Sequence, residues 1–156
     1  AGESDAVALL GPPKPCDWEN YDGVFSSHYD EGRITRIMDS NPHWAEFAHR
    51  SIDEYPIIEK ESGIRFFHSV GCLQGPQTRM TGNHWNSLQN EAARHNTHAE
   101  SLGKDELEKQ FPYFRFGEDK AFLEKETAGY INPRKLVRAQ IRIVQKRGAE
   151  VIHETA

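Results

Sequence analysis

The chain has 156 residues, 37% hydrophobic and 28% charged, with 19 basic against 24 acidic side chains and a net charge of −5. That length and apolar share suit one folded domain with a core and exclude a disordered chain. The acidic balance argues against a nucleic-acid partner, because phosphate backbones require a basic excess, and no apolar run approaches the ~20 residues of a membrane span.

The two cysteines, Cys16 and Cys72, stand far apart in sequence. Without a CxxC pair, zinc binding has no support, and free thiols in a reducing compartment are the default. The opening residues AGESDAVALLGPP lack the basic start and long apolar centre of a signal peptide. They also lack an initiator Met, which fits a numbering that begins inside a longer natural chain. The expectation is a soluble, intracellular protein, with cytoplasm and organelle left undecided.

Ala6 to Leu10, AVALL, is a continuous apolar run stopped by Gly11, Pro12 and Pro13. It predicts a buried strand with parallel pairing. Residues 12–23 are rich in Pro, Gly and Asp and predict a loop, and Gly23 to Ser26 a second short extended piece. Ser40-Asn41-Pro42 marks a helix start, with a capping side chain and Pro in the first turn. Trp44, Phe47, Ala48, Ile52, Tyr55 and Ile58 then follow helical spacing and predict a core-facing stripe. Pro56 should kink or restart that helix, and Gly63 should end it.

Ile64 to Leu73 predicts a strand or hairpin broken by Gly75-Pro76. His84 to Leu102 predicts a helix with sparse apolar positions (Trp85, Leu88, Ala92, Ala93), one that covers the surface rather than filling a core. Asp105 to Gln110 predicts a short helix, followed by the aromatic loop Phe111-Pro112-Tyr113-Phe114. Ala121 to Lys125 predicts a strand. Asn132-Pro133 opens the clearest helix, with Leu136, Val137, Ile141 and Val144 on one face and Gly148 as its stop. Ala149 to His153 predicts a final strand. The fold class is therefore α/β with α+β character and some parallel pairing.

The polar chemistry concentrates in Ser26 to Arg36, SSHYDEGRITR. Arg33 and Arg36 share a face if this stretch is a helical turn and point apart if it is a strand. Arginine's planar fork grips carboxylates and phosphates, and Ser26, Ser27 and His28 can donate to phosphate or sugar oxygens. The plainer alternative pairs Asp30 and Glu31 with these arginines on the surface. His43 and His49 are six apart and His95 and His98 three apart, the second pair able to share a helix face, but no carboxylate arrangement completes a recognisable site, so no metal is expected. His68 and Cys72 could be a base and a nucleophile, but a thiol in an aromatic strand reads as packing. No GxGxxG follows a strand and no Walker loop occurs, so the chain lacks its own motif for a dinucleotide pyrophosphate.

Taken together, AVALL, SSHYDEGRITR, the long amphipathic helix ending in ESGIRFF, the VGCL strand and AGYINPRKLVRAQIRIVQKRGAEVIHETA carry a resemblance. The chain resembles the FAD-dependent oxidoreductases of the D-amino-acid oxidase superfamily, especially the sarcosine oxidase, N-methyltryptophan oxidase and pipecolate oxidase group. The resemblance covers nearly the whole chain, and SSHYDEGRITR is its most specific part.

The resemblance implies an internal fragment. AVALL matches the second strand of the family's sheet, so the Gly-rich unit would precede Ala1 and further substrate-domain strands would follow Ala156. The fold implied is a partial FAD-binding Rossmann-like sheet with part of an attached substrate domain. Residues 1–60 and 129–156 would belong to the FAD-binding domain and 61–128 to the substrate domain. Ser26, Ser27 and His28 match positions near the flavin or its phosphates. Arg33 matches an arginine over the flavin ring with Ile34 beside it, and Arg36 one that binds a substrate carboxylate. Gly11 departs from the acidic residue that the family places on the ribose, and Gly32 from a hydroxyl residue. Cys16 and Cys72 match neither the context nor the region of the family's flavin-bonded cysteine.

The activity implied is oxidation of the C–N bond of a secondary amine or amino acid by hydride transfer to FAD. For these 156 residues alone, the expectation is no tight FAD binding, no turnover, and self-association through unpaired strand edges. The alternatives are a stand-alone non-catalytic interaction module of this fold and a small carboxylate-binding protein using Arg33 and Arg36.

Overall fold

The computed structural model describes residues 6–23, 25–75, 82–115 and 120–154, the side chains of residues 82–84 excepted. Its elements are β1 (Ala8–Leu10), β2 (Arg33–Thr35), α1 (Pro42–Ser62), β3 (Phe67–His68), β4 (Cys72–Gln74) and α2 (Gly82–Arg94). They continue with β5 (Ala99–Gly103), α3 (Lys104–Gln110), β6 (Lys120–Glu124), β7 (Gly129–Ile131), α4 (Pro133–Lys146) and β8 (Glu150–Ile152). The chain divides into two compact units, Ala1–Glu31 with Ile57–Phe66 and Asn132–Ala156, and Gly32–Pro56 with Phe67–Ile131. Helix and sheet are mixed throughout, as the fold class requires.

In the first unit, β1 pairs in parallel with β8, Leu9 opposite Val151. Bonds from Glu150 N to the Val7 carbonyl (3.0 Å) and from Gly11 N to the Ile152 carbonyl (3.1 Å) extend the ladder. The parallel pairing matches the expectation from AVALL, but the burial does not. Val7, Leu9 and Leu10 are exposed, because β8 is the one described strand beside β1 and no described layer covers its faces. The described residues at Gly23, Phe25 and Ser26 form no strand, and Val24 lies outside the described residues.

Helix α4 starts as its sequence dictates. The Asn132 side chain accepts from Lys135 N at 3.0 Å and Pro133 occupies the first turn. Its buried residues are Pro133, Ala139 and Ile143, whereas the expected stripe of Leu136, Val137, Ile141 and Val144 is only half-buried. Gly148, at φ 91°, ends it with Ala149 N bonded to the Val144 carbonyl. The Arg147 guanidinium grips both oxygens of Glu61 at 2.9 and 2.7 Å, and Lys146 donates to the Glu61 carbonyl.

The second unit holds two antiparallel three-stranded sheets, β2-β7-β3 and β4-β6-β5. Ile64 to Leu73 is thus no hairpin. β3 joins one sheet and β4 the other, with Gly71 between them donating to the Ala128 carbonyl at 3.0 Å. The expected helix to Leu102 stops at Arg94, and Ala99–Gly103 becomes a strand that pairs along β6. Nor is α2 a surface cover. Leu88 and Ala92 are buried in a cluster with Met38 and Phe122, and Trp85 stacks on Phe122 at 4.0 Å. A second cluster joins Leu102, Leu107, Ala121 and Leu123 around α3.

Asn41 caps α1, accepting from His43 N at 2.9 Å, and the helix continues through Pro56 without restarting. Its buried side is Ala45, Ile52 and Tyr55, while Trp44 and Phe47 are 66% and 61% exposed. The core stripe expected at those two aromatics is therefore wrong. They project about 100° and 160° away from Ala45 on a helix, off the buried line.

Candidate functional site

The six residues singled out from the sequence fall into two groups, one in each unit. In the first unit, Ser26 to Tyr29 is a turn closed by Tyr29 N on the Ser26 carbonyl at 3.3 Å. Ser26 and Ser27 are exposed and His28 is half-buried. An aromatic chain supports the turn: Tyr21 meets Phe25 at 5.1 Å, Phe25 meets Tyr29 at 5.0 Å and His28 meets Tyr29 at 5.1 Å.

Arg134, in the first turn of α4, ties this loop down. Its Nε donates to the Tyr29 carbonyl at 2.5 Å, Nη1 lies 3.4 Å from Glu31, and the guanidinium sits over the rings of Trp18 and Tyr29. A buried or stacked arginine of this kind fixes loop conformation by geometry as well as charge. The surface pairing expected for Glu31 therefore exists, but with Arg134 rather than Arg33 or Arg36.

In the second unit, Arg33, Ile34 and Thr35 form β2 and pair with Ile131, Tyr130 and Gly129. The strand excludes the helical-turn arrangement of Arg33 and Arg36. Arg33 and Ile34 are exposed, Ile34 at 67%. Thr35 is buried and shares a hydrogen bond with the Tyr55 hydroxyl at 3.3 Å.

Arg36 is placed differently. Its Nε donates to the Met38 carbonyl at 3.0 Å and to Gln74 Oε1 at 3.2 Å, and Nη2 lies 3.3 Å from Asp39 Oδ2. Asp39 is itself held, its Oδ1 accepting from Asn41 N at 2.9 Å. The Arg36 side chain is 32% exposed, and its Nη1 makes no hydrogen bond to a described residue.

Glu124, at the end of β6, is fully buried and holds the two residues that follow Arg36. Its carboxylate accepts from Ile37 N at 3.0 Å, Met38 N at 2.8 Å and Thr127 Oγ1 at 2.7 Å. Three neutral donors satisfy a carboxylate that burial would otherwise penalise. The sequence reading missed Glu124, Gln74, Asp39 and Arg134. For Glu124 a signal existed: it is the acidic residue that closes the apolar run AFL on a strand where both faces are buried.

Cys72, opposite Glu124 in β4, is half-buried, and burial pushes its thiol above the ordinary range, with Arg36 pulling it down and Glu124 pushing it up. A thiol so disposed is a poor nucleophile. His68 stacks flat on Tyr130 at 4.6 Å instead of serving as its base. The histidine pairs read from spacing are not those formed. His49 of α1 meets His95, just past the end of α2, at 5.0 Å, and His95 Nε2 lies 3.5 Å from Glu91 and 3.9 Å from Glu46. Among the described residues, no group of three or more His, Cys, Asp or Glu is arranged to hold a metal ion.

FAD fits this donor set in one part and not in another. Within the first unit, Ser26 and Ser27 are exposed and His28 is half-buried, hydroxyl and imidazole groups of the kind that bind polar groups of a flavin. A pyrophosphate needs a helix N-terminus after a glycine turn. At the described end of β1, Gly11 leads into Pro12-Pro13 and a long loop, so that cradle is not among the described residues.

The fold has solved counterparts. L-proline dehydrogenase from P. horikoshii superposes with a TM-score of 0.60 at 15% identity, covering 75% of this chain and 31% of that one. NikD, described as an unusual amino acid oxidase essential for nikkomycin biosynthesis, gives 0.63 at 17% identity, covering 94% and 36%. L-amino acid deaminase from Proteus vulgaris gives 0.63 at 12% identity, covering 81% and 30%. The chain thus spans about a third of the length of these structures. No curated protein matches it significantly by sequence. No helix among the described residues is long and apolar enough to cross a membrane. A family profile settles the affiliation: residues 18–156 match DAO, the FAD dependent oxidoreductase family, and the chain belongs to it.

Proposed function

We propose that the chain is an internal part of a flavin-dependent oxidoreductase that oxidises the C–N bond of a secondary amine or amino acid, in the manner of the sarcosine oxidase, N-methyltryptophan oxidase and pipecolate oxidase group. Residues 1–60 and 129–156 would lie on the cofactor side and 61–128 on the substrate side. Bound FAD would supply the two-electron acceptor for the hydride that leaves the carbon beside nitrogen.

Each residue of this chain has a simpler task. Ser26, Ser27 and His28 offer hydrogen bonds to the cofactor's polar groups. Arg33 places a permanent cation, with Ile34 as its apolar neighbour on β2, where it would favour negative charge building on the flavin ring. Arg36 binds the substrate carboxylate and so fixes which carbon is presented.

The observation that supports this reading most is the setting of Arg36. Met38, Gln74 and Asp39 hold its guanidinium, and Nη1, which makes no hydrogen bond to a described residue, can donate to a carboxylate. A pre-set guanidinium loses little side-chain entropy on binding, which is what carboxylate recognition gains from arginine.

The test is anaerobic mixing of the intact, FAD-loaded enzyme with a panel of secondary amino acids. Bleaching of the flavin absorption by at least one of them is expected. A loaded enzyme that none of them reduces would refute the reading. The 156-residue chain alone is expected to show no tight FAD binding in equilibrium dialysis.

A further inference from the structure

We infer that Glu124 is a positioning residue for Arg36, setting through the Met38 peptide where the guanidinium meets a substrate carboxylate. This rests on the proposed role of Arg36. The connection is short and continuous. Glu124 Oε2 accepts from Met38 N at 2.8 Å, and the carbonyl of the same residue accepts from Arg36 Nε at 3.0 Å. Oε1 holds the preceding amide, Ile37 N, at 3.0 Å and is itself steadied by Thr127 at 2.7 Å.

The two backbone groups that follow Arg36 are therefore pinned by one carboxylate that water does not reach. Ile37 and Met38 are each 1% exposed, so the pinned segment has no room to slide. Arg36 and Glu124 also act in opposite senses on the Cys72 thiol, which places both charges within electrostatic reach of one group. Asp39 and Gln74 hold the guanidinium directly, and Glu124 acts on it through the Met38 peptide.

A glutamine at 124 keeps the shape but sets an amide N–H against one of the two backbone N–H groups. The Met38 peptide then tilts, and Arg36 loses its fixed carbonyl. The probe is acetate, with acetamide as the uncharged control, titrated into the FAD-loaded enzyme and read by the change in flavin absorption. For Glu124→Gln the acetate Kd is expected to rise about tenfold, with acetamide unchanged and KM for an amino-acid substrate rising more than kcat falls. Thr127→Val, which removes one support of the carboxylate, is expected to weaken acetate about threefold and carries the test if Glu124→Gln does not fold.

Leu107→Ala, which hollows the core around α3, controls for plain destabilisation. It should lower the melting temperature and leave acetate binding as it was. Unchanged acetate affinity in Glu124→Gln or, should that variant not fold, in Thr127→Val overturns the inference, as does equal weakening in Leu107→Ala. Arg36→Lys separates the two claims. If it too binds acetate normally, the role of Arg36 itself fails and that of Glu124 with it. If Arg36→Lys is weakened while Glu124→Gln is not, only the role of Glu124 fails.

Discussion

Glu124 and His95 are both polar side chains buried in the same unit, and they are housed in opposite ways. Glu124 has a donor on every side that matters: two backbone amides and a threonine hydroxyl. The His95 side chain is 5% exposed and faces Glu91 and Glu46 at 3.5 and 3.9 Å, yet its Nε2, the Glu91 Oε2 and the neighbouring His49 Nδ1 make no hydrogen bond. A satisfied buried carboxylate can organise the chain around it. A half-satisfied cluster costs stability and organises little. The difference points to Glu124 as the element that shapes a site and to the His95 cluster as helix packing with polar residues in it.

The sharpest way to break this comparison is Glu124→Ala. It strands two buried amides and opens a cavity, and a loss of about 3 kcal/mol or more in urea denaturation is expected. A loss below about 1 kcal/mol would mean that the carboxylate organises nothing. Next comes Cys72, which faces Glu124 across the β4–β6 ladder. Its half-buried, raised thiol should react with iodoacetamide at neutral pH about tenfold more slowly than exposed Cys16, followed by mass spectrometry. Equal rates would show that the strand is more open than this.

A smaller effect is expected on the other side of the comparison. Replacing the mismatched pair by His95→Leu with Glu91→Met should leave stability within about 1 kcal/mol of the parent, because a poorly bonded polar pair is exchanged for apolar packing. A large loss would show that the cluster holds α1 to α2 after all.

The smallest effect belongs to the exposed pair Glu61–Arg147. The Arg147 hydrogen bond holds the Glu61 carboxyl below its ordinary value. The folded form therefore binds fewer protons there than the unfolded one in acid. Its contribution is complete above the ordinary glutamate range and is lost as pH falls through the depressed value. Arg147→Ala should lower the melting temperature slightly at neutral pH, and the gap from the parent should close in acid and in high salt.

The parts of the molecule legible in the sequence were those with strong local punctuation. Asn41-Pro42 and Asn132-Pro133 announced α1 and α4, Gly63 and Gly148 ended them, and AVALL and AEVIH marked the strands β1 and β8, whose pairing with each other the structure supplied. What stayed hidden was set by tertiary pairing. β2 and β7 are three residues each, too short for alternation to show, and Ala99–Gly103 carries few apolar residues and is made a strand by β6 alongside it. Trp44 and Phe47 looked like core because they are large, but Ala45 took the buried line.

At the candidate site, Arg33 and Arg36 stood out in the sequence as arginines of the kind that grip anions, and SSHYDEGRITR carried the family resemblance. The groups that fix Arg36 were not readable, because Gln74 and Glu124 lie 38 and 86–87 residues from the positions they hold. Sequence spacing also gave no sign that His95 sits against His49 of α1.

The role assigned to Arg36 is tested most directly by comparing an amino-acid substrate with its primary amide. In the intact, FAD-loaded enzyme, the ratio of their kcat/KM values should favour the carboxylate, and Arg36→Ala should shrink that preference about a hundredfold, acting on the acid and sparing the amide. A ratio that is the same in the parent and in Arg36→Ala would contradict it.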